Sequence, residues 1–276
     1  MSSFMADEAM QVMLRRRAQC AALAGDMDIV PVFSHCSALE YWGTSPPPDC
    51  RLPANKHHIV FADKAKRRRY ARVITHSWKG EFLVEHAGVY DVTRPAMTWA
   101  QMSRYCSEES LAVIAGSFAC RDRRRRVASI DELVRYATDT KGFQGRARCM
   151  GIAPFLAANT DSPPESQVYV LAMRNGLGTP SVNHCVMLGP NDCCFIDIAY
   201  PDIKLGIEYQ GGYHAGVDQM RADARRLNRL RLAGWEIVLV TADDLIDDAA
   251  RRRIVQVIRV MMQRQRHLMG LARVVI

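Results

Sequence analysis

At 276 residues, 49% hydrophobic and 24% charged, the chain is long enough for one large or two ordinary domains and needs no disulfides to bury a core. No apolar run reaches the roughly 18 to 20 residues of a membrane span, and the first ten residues lack a signal-peptide pattern, so a cytoplasmic location with no membrane partner is expected. The formal net charge of +8 is uneven: residues 1–150 carry 23 Lys and Arg against 16 Asp and Glu, the remainder 14 against 13.

In chain order, M-Q-V-M-L-R-R-R-A-Q-C-A-A-L reads as one helix, and P-V-F followed by S-H-C-S-A-L-E-Y-W as an extended segment and a short helix capped by Ser34. The prolines at 46 to 48 mark a connector. H-H-I-V-F (57–61) and R-V-I-T-H (72–76) read as strands bracketing a basic run. Residues 107–118 and 129–137 read as helices, the second with Ser129 at its N-cap and acidic residues in its first turn. The polar, Pro-containing stretch at 158–166 marks a boundary, giving a basic region 1–157 and a second domain 158–276.

In the second domain a helix begins near S-P-P-E-S and stops at Gly176. V-N-H-C-V-M-L and C-C-F-I-D-I-A-Y are strands joined by the hairpin turn G-P-N-D, and K-L-G-I-E-Y-Q is a third. A helix ending at Gly234 sets Leu227, Leu230 and Ala233 on one side and arginines on the other. W-E-I-V-L-V-T is a fourth strand, and A-D-D-L opens a closing helix whose apolar stripe (Ile254, Val255, Ile258, Met261, Met262) serves the chain's own core or a partner. The order α-β-β-β-α-β-α predicts a mixed α/β fold.

Nine cysteines, an odd number without a C-x-x-C pair, read as reduced and mostly buried thiols. Cys193 and Cys194 are adjacent, so in a strand they face opposite sides. Basic runs sit at Arg15 to Arg17, at Lys64 to Arg69 and at Arg121 to Arg126. Any one of them suits a solvated face, whereas three in one half favour a polyanion. The expected DNA contacts are Lys64, Lys66, Arg67, Arg68, Arg69, Arg123, Arg124, Arg125 and Arg126, with Arg221 and Arg225 from the later helix.

The strand ends carry the chemistry. Asp197 and Glu208 lie on consecutive strands separated by a short turn, so their carboxylates can meet at one sheet edge. Two close carboxylates repel unless a proton or cation intervenes, which makes Mg²⁺ or Mn²⁺ the expected occupant, with both acids as ligands. Such a cation activates water toward a phosphodiester. Gln210, on the same face as Glu208, would orient that water or hold a phosphate oxygen, and His214 would protonate the leaving group or contact the scissile phosphate. Three of these residues also have a plainer reading: Asp197 as a turn cap, Glu208 as a rim residue paired with an arginine of the following helix, His214 as a packed or solvent histidine.

I-D-I-A-Y-P-D-I-K-L-G-I-E-Y-Q-G-G-Y-H, the following helix and L-R-L-A-G-W-E-I-V-L-V-T-A-D-D-L resemble nuclease-like domains related to the very-short-patch repair endonuclease, within the PD-(D/E)XK or restriction-endonuclease-like superfamily. The resemblance covers about residues 162–246. It implies an α-β-β-β-α-β core, Asp197 and Glu208 as metal-binding acids, Gln210 in the place of the superfamily's lysine, and Glu165 as the acidic residue of the first helix. S-H-C-S-A-L-E-Y-W-G, R-V-I-T-H, G-V-Y-D-V-T-R-P-A-M-T-W and L-A-V-I-A-G-S-F are similar to AbiEi-like antitoxins and regulators of abortive-infection systems. The combined expectation is a metal-dependent DNA endonuclease or nickase in repair or in defence against phage and mobile elements. A cognate toxin or second nuclease subunit would be a further partner. The alternative is an AbiEi-like regulator that binds DNA without cutting it.

Overall fold

The structure, a computed structural model, describes the backbone of residues 3–53, 55–190, 192–211 and 217–270, and the side chains of 9–53, 55–65, 67–190, 192–211 and 220–270. The chain is mixed α/β with two sheets and divides into two compact units, residues 1–158 and 159–276. No helix among the described residues is long and apolar enough to cross a membrane.

Unit 1 begins with α1 (Ser3–Gly25), β1 (Val32–Phe33) and α2 (His35–Tyr41). Next come β2 (His57–Phe61), β3 (Val73–Ser77), β4 (Val84–His86) and β5 (Asp91–Thr93). Four helices follow: α3 (Pro95–Met102), α4 (Glu108–Phe118), α5 (Ile130–Asp139) and α6 (Arg146–Ile152). The strands form one sheet in the order β3-β2-β1-β5-β4, parallel at β2–β3 and β1–β5 and antiparallel elsewhere. Cys20 and Ala24 of α1 pack with Phe33, Ile59 and Val92 of the sheet, while Trp99, Leu111, Ile114, Phe118, Leu133 and Ile152 fill the helical side.

Local chemistry sets several helix starts. Ser129 and Glu132 form a reciprocal capping box on α5, and the Ser107 side chain accepts from the Ser110 N–H on α4. Ser34 holds the N-cap position of α2 without a capping bond, which corrects the expectation. Its hydroxyl meets His35 Nδ1 at 2.9 Å instead, beside a left-handed His35 backbone (φ 50°).

Unit 2 comprises α7 (Pro163–Arg174), β6 (Ser181–Gly189), β7 (Asp192–Tyr200), β8 (Leu205–Tyr209), α8 (Val217–Leu232), β9 (Glu236–Val240), α9 (Ala242–Leu245) and α10 (Asp248–Leu268). Its sheet runs β6-β7-β8-β9, antiparallel up to β8 and parallel at β8–β9, so α8 is the crossover. Both prolines of S-P-P-E-S lie inside the first turn of α7, and Gly176 takes the left-handed conformation (φ 66°) just beyond its end. The expected single closing helix is two, because Asp247 caps a fresh start by accepting from the Ala250 N–H. Ile254, Val255, Ile258 and Met262 are buried, and α10 packs on α7, β8 and β9, so that stripe is core.

Candidate active site

Consecutive antiparallel strands bring the acids together. The pairing of β7 with β8 matches Ile198 to Ile207, and one step further along the same register Asp197 faces Glu208. The Tyr209 N–H donates to Asp197 Oδ2 at 3.0 Å, which fixes the carboxylate against the neighbouring strand. On the other side of β7, Asn183 sits between the pairs Val182↔Ile198 and His184↔Ile196, and hence opposite Asp197. The row across the sheet is Asn183, Asp197 and Glu208.

Asn183 adopts a left-handed backbone (φ 48°), which asparagine tolerates better than most residues. Its Nδ2 donates to the Asn159 carbonyl at 2.6 Å and to Glu165 Oε2 at 3.4 Å, tying the first helix to the acidic row. Glu165 is held further by the Asp161 N–H (2.6 Å) and the Ser162 hydroxyl (2.9 Å). Burial pushes the Glu165 carboxyl above its ordinary range, with the charge of Asp161 adding to it.

Glu208 is only 5% exposed, and its compensating charge comes from α8. Arg226 Nη1 donates to Glu208 Oε1 at 2.6 Å and to the Phe195 carbonyl at 3.1 Å, while its Nη2 donates to Glu208 Oε2. The plainer reading of Glu208, a partner for an arginine of the following helix, therefore describes this resting geometry. Asp197 is pushed up to about 7, first by burial, then by the negative charge of Glu165, with Glu208 adding and the Tyr209 N–H opposing. Three acids thus influence one another, with one guanidinium among them.

Gln210 lies just past β8; its N–H continues the ladder to the Val240 carbonyl at 2.7 Å and its side chain is exposed. His214 lies outside the described residues. Among the described residues no three His, Cys, Asp or Glu side chains are spaced to hold a metal ion.

Arg226 and Asn183 are the residues that sequence reasoning missed. The signal for Arg226 was periodicity: Asp223, Arg226, Leu227 and Leu230 recur at three and four, and Leu230 is fully buried, so not all arginines of α8 lie on its outer side as expected. Asn183 carried no comparable signal, since a polar residue within a strand pattern does not reveal its backbone conformation.

The basic runs divide by use. Arg16 is buried and paired with Glu40, and Arg17 lies 4.5 Å over the Tyr41 ring, so the Arg15–Arg17 run is largely structural. Lys64, Arg67, Arg68 and Arg69 are exposed, Arg68 pairing with Asp28 at 3.2 Å; the Lys66 side chain lies outside the described residues. In the third run Arg124 pairs with Asp122 at 3.2 Å and Arg126 donates to the Cys120 carbonyl at 2.8 Å, while Arg123 is exposed and Arg125 half-buried. Arg221 and Arg225 are exposed on α8. All nine cysteines are free thiols, with Cys193 exposed and Cys194 buried as their adjacency requires.

Compared with known proteins, the chain matches no family model, no curated protein and no solved structure.

Proposed function

We propose that unit 2 is a metal-dependent DNA endonuclease or nickase of the restriction-endonuclease-like type. The observation that carries this reading is the row in which Asp197 faces Glu208, with Glu165 raising the proton affinity of Asp197. A carboxyl held protonated beside a second, ion-paired acid is costly to keep without function, and the pair suits a site built for a cation. The order α7-β6-β7-β8-α8-β9 is also that of the superfamily core that the sequence resembles.

The donor set fits a hard divalent cation such as Mg²⁺ or Mn²⁺, which needs one or two carboxylates and keeps its waters. Asp197 and Glu208 would hold it, Glu208 on exchanging Arg226. When bound, the cation would supply Lewis-acid stabilisation and an acidified water. The chain supplies the rest. Glu165 and Asn183 orient the acidic row, Arg226 balances Glu208 in the resting state, and exposed Gln210 can reach a water or phosphate oxygen. Arg221, Arg225 and the exposed basic side chains of unit 1 would attract the DNA backbone.

The bidentate lock of Arg226 on Glu208 favours the second reading, a regulator of AbiEi-like type that binds DNA without cutting it. Incubating supercoiled plasmid with the protein and Mg²⁺ or Mn²⁺ separates the two. We expect nicked or linear product from the wild type and none from the Asp197→Asn/Glu208→Gln double variant, with DNA binding retained. A wild type that shifts DNA but never cuts it leaves the regulator, and a double variant that cuts at the wild-type rate removes the carboxylates from the chemistry.

A further inference from the structure

Unit 1 contains a cavity of about 440 Å³, within the usual range of small-molecule sites and lined by residues of this unit alone. Its inner wall includes His35, His76 and Gln101, and its rim carries Lys64, Arg67, Lys79 and Arg104. Trp78, Tyr105 and Phe143 add aromatic surface, with Trp78 and Phe143 stacked at 5.0 Å.

The hydrogen bonds of the wall set its polarity. His58 Nε2 lies 3.1 Å from the Pro53 carbonyl, which can only accept, so that nitrogen carries the proton. Burial keeps the His58 imidazole neutral, leaving its Nδ1 to accept from His76 Nε2 at 3.0 Å. His76 is also neutral, its pKa pushed down to about 3 by burial and by the neighbouring His58, Arg67 and Arg104. The Nδ1 of His76 therefore presents a lone pair. His35 stacks on the same ring with centroids 3.7 Å apart, and its left-handed backbone marks a locally strained wall.

Gln101 supplies an independent observation. It is 1% exposed; its Oε1 accepts from the His35 N–H and the Thr93 hydroxyl, each at 3.3 Å, and its Nε2 has no hydrogen-bond partner. That unpaired donor costs about 1–3 kcal/mol and makes the wall behind the cavity polar. The occupant must thus offer negative charge to the rim, a donor to His76 and a body large enough for the aromatic wall.

We propose that this cavity binds a nucleotide phosphate, with the phosphate toward Arg67 and Arg104 and a hydroxyl or N–H of the nucleoside on His76 Nδ1. The same chemistry is offered by a free mononucleotide and by the 5′-phosphorylated end of a DNA strand. The site shares no residue with the carboxylate row and does not require unit 2 to cut.

The test is calorimetric titration of the full chain in EDTA with dAMP, then with a short single-stranded oligonucleotide bearing either a 5′-phosphate or a 5′-hydroxyl. Binding of dAMP, displaced by the phosphorylated strand, supports the site with both sources. Binding confined to the phosphorylated strand supports it with the strand end as ligand. In either case Arg67→Gln/Arg104→Gln, both exposed and safe for folding, should weaken binding at least tenfold. His76→Gln keeps a donor toward His58 while removing the Nδ1 acceptor, and should weaken the nucleotide more than inorganic phosphate. The Asp197→Asn/Glu208→Gln variant should bind as the wild type does. Failure of dAMP to bind together with equal binding of the two oligonucleotides would overturn the proposal, as would unchanged affinity in the double arginine variant.

Discussion

Asp197 shows how one residue ties protonation to stability. Its carboxyl ionises near the ordinary value of 3.8 in the unfolded chain but is pushed up to about 7 in the fold. Between those values the folded protein holds a proton that the unfolded chain has released, so this residue makes stability fall as pH rises from about 4 through about 7. Buried His35 and His76 act oppositely: depressed in the fold, they cost stability as pH falls below about 6.5. The difference between wild type and Asp197→Asn isolates the carboxylate. In EDTA the variant should gain unfolding midpoint relative to wild type between pH 5 and pH 8; a difference that stays flat with pH would mean that Asp197 is not held neutral by its neighbours.

At the scale of elements, much of unit 2 was legible because its signals are local. The two prolines and Gly176 bound α7, Gly189 pairs with Asp192 where β6 gives way to β7, and Leu227 and Leu230 of α8 pack in the core cluster with Trp235 and Ile237. Asp197 and Glu208 were legible for the same reason, since a short turn between strands leaves few registers. What was not legible depends on contacts distant in sequence. The sheet order β3-β2-β1-β5-β4 places the short β1 at the centre between β2 and β5, an arrangement that no local pattern announces. The burial of Arg16 depends on Glu40, twenty-four residues away, so three consecutive arginines look alike until the fold separates them. Gly206 in the middle of β8 was read only as part of a strand. A Cβ there would lie 2.6 Å from Ile237 Cδ1 and 2.7 Å from Ile196 Cγ2, so this glycine lets the strand sit close beneath two isoleucines. Gly206→Val should destabilise the protein by about 1–3 kcal/mol or more in a denaturant titration, and a variant as stable as wild type would show that the layer yields more easily than its packing implies.

For the whole molecule, the net positive charge concentrates in unit 1, whereas in unit 2 the buried Glu208 holds the half-buried guanidinium of Arg226. On the proposed function, that guanidinium makes the Glu208–Arg226 pair an exchange reaction. A DNA phosphate that draws the guanidinium to itself leaves Glu208 needing another counterion, and a divalent ion that takes Glu208 releases a guanidinium able to grip DNA. Two ligands that each remove the other's competitor bind with positive linkage, and the factor is the same in both directions. Titrating a non-hydrolysable phosphorothioate duplex with and without Mg²⁺, and Mg²⁺ with and without the duplex, should return matching enhancements that vanish in Arg226→Met; matching enhancements that persist in the variant would place the coupling elsewhere. In the proposed nuclease the resting state would be guarded by a side chain that the substrate itself removes.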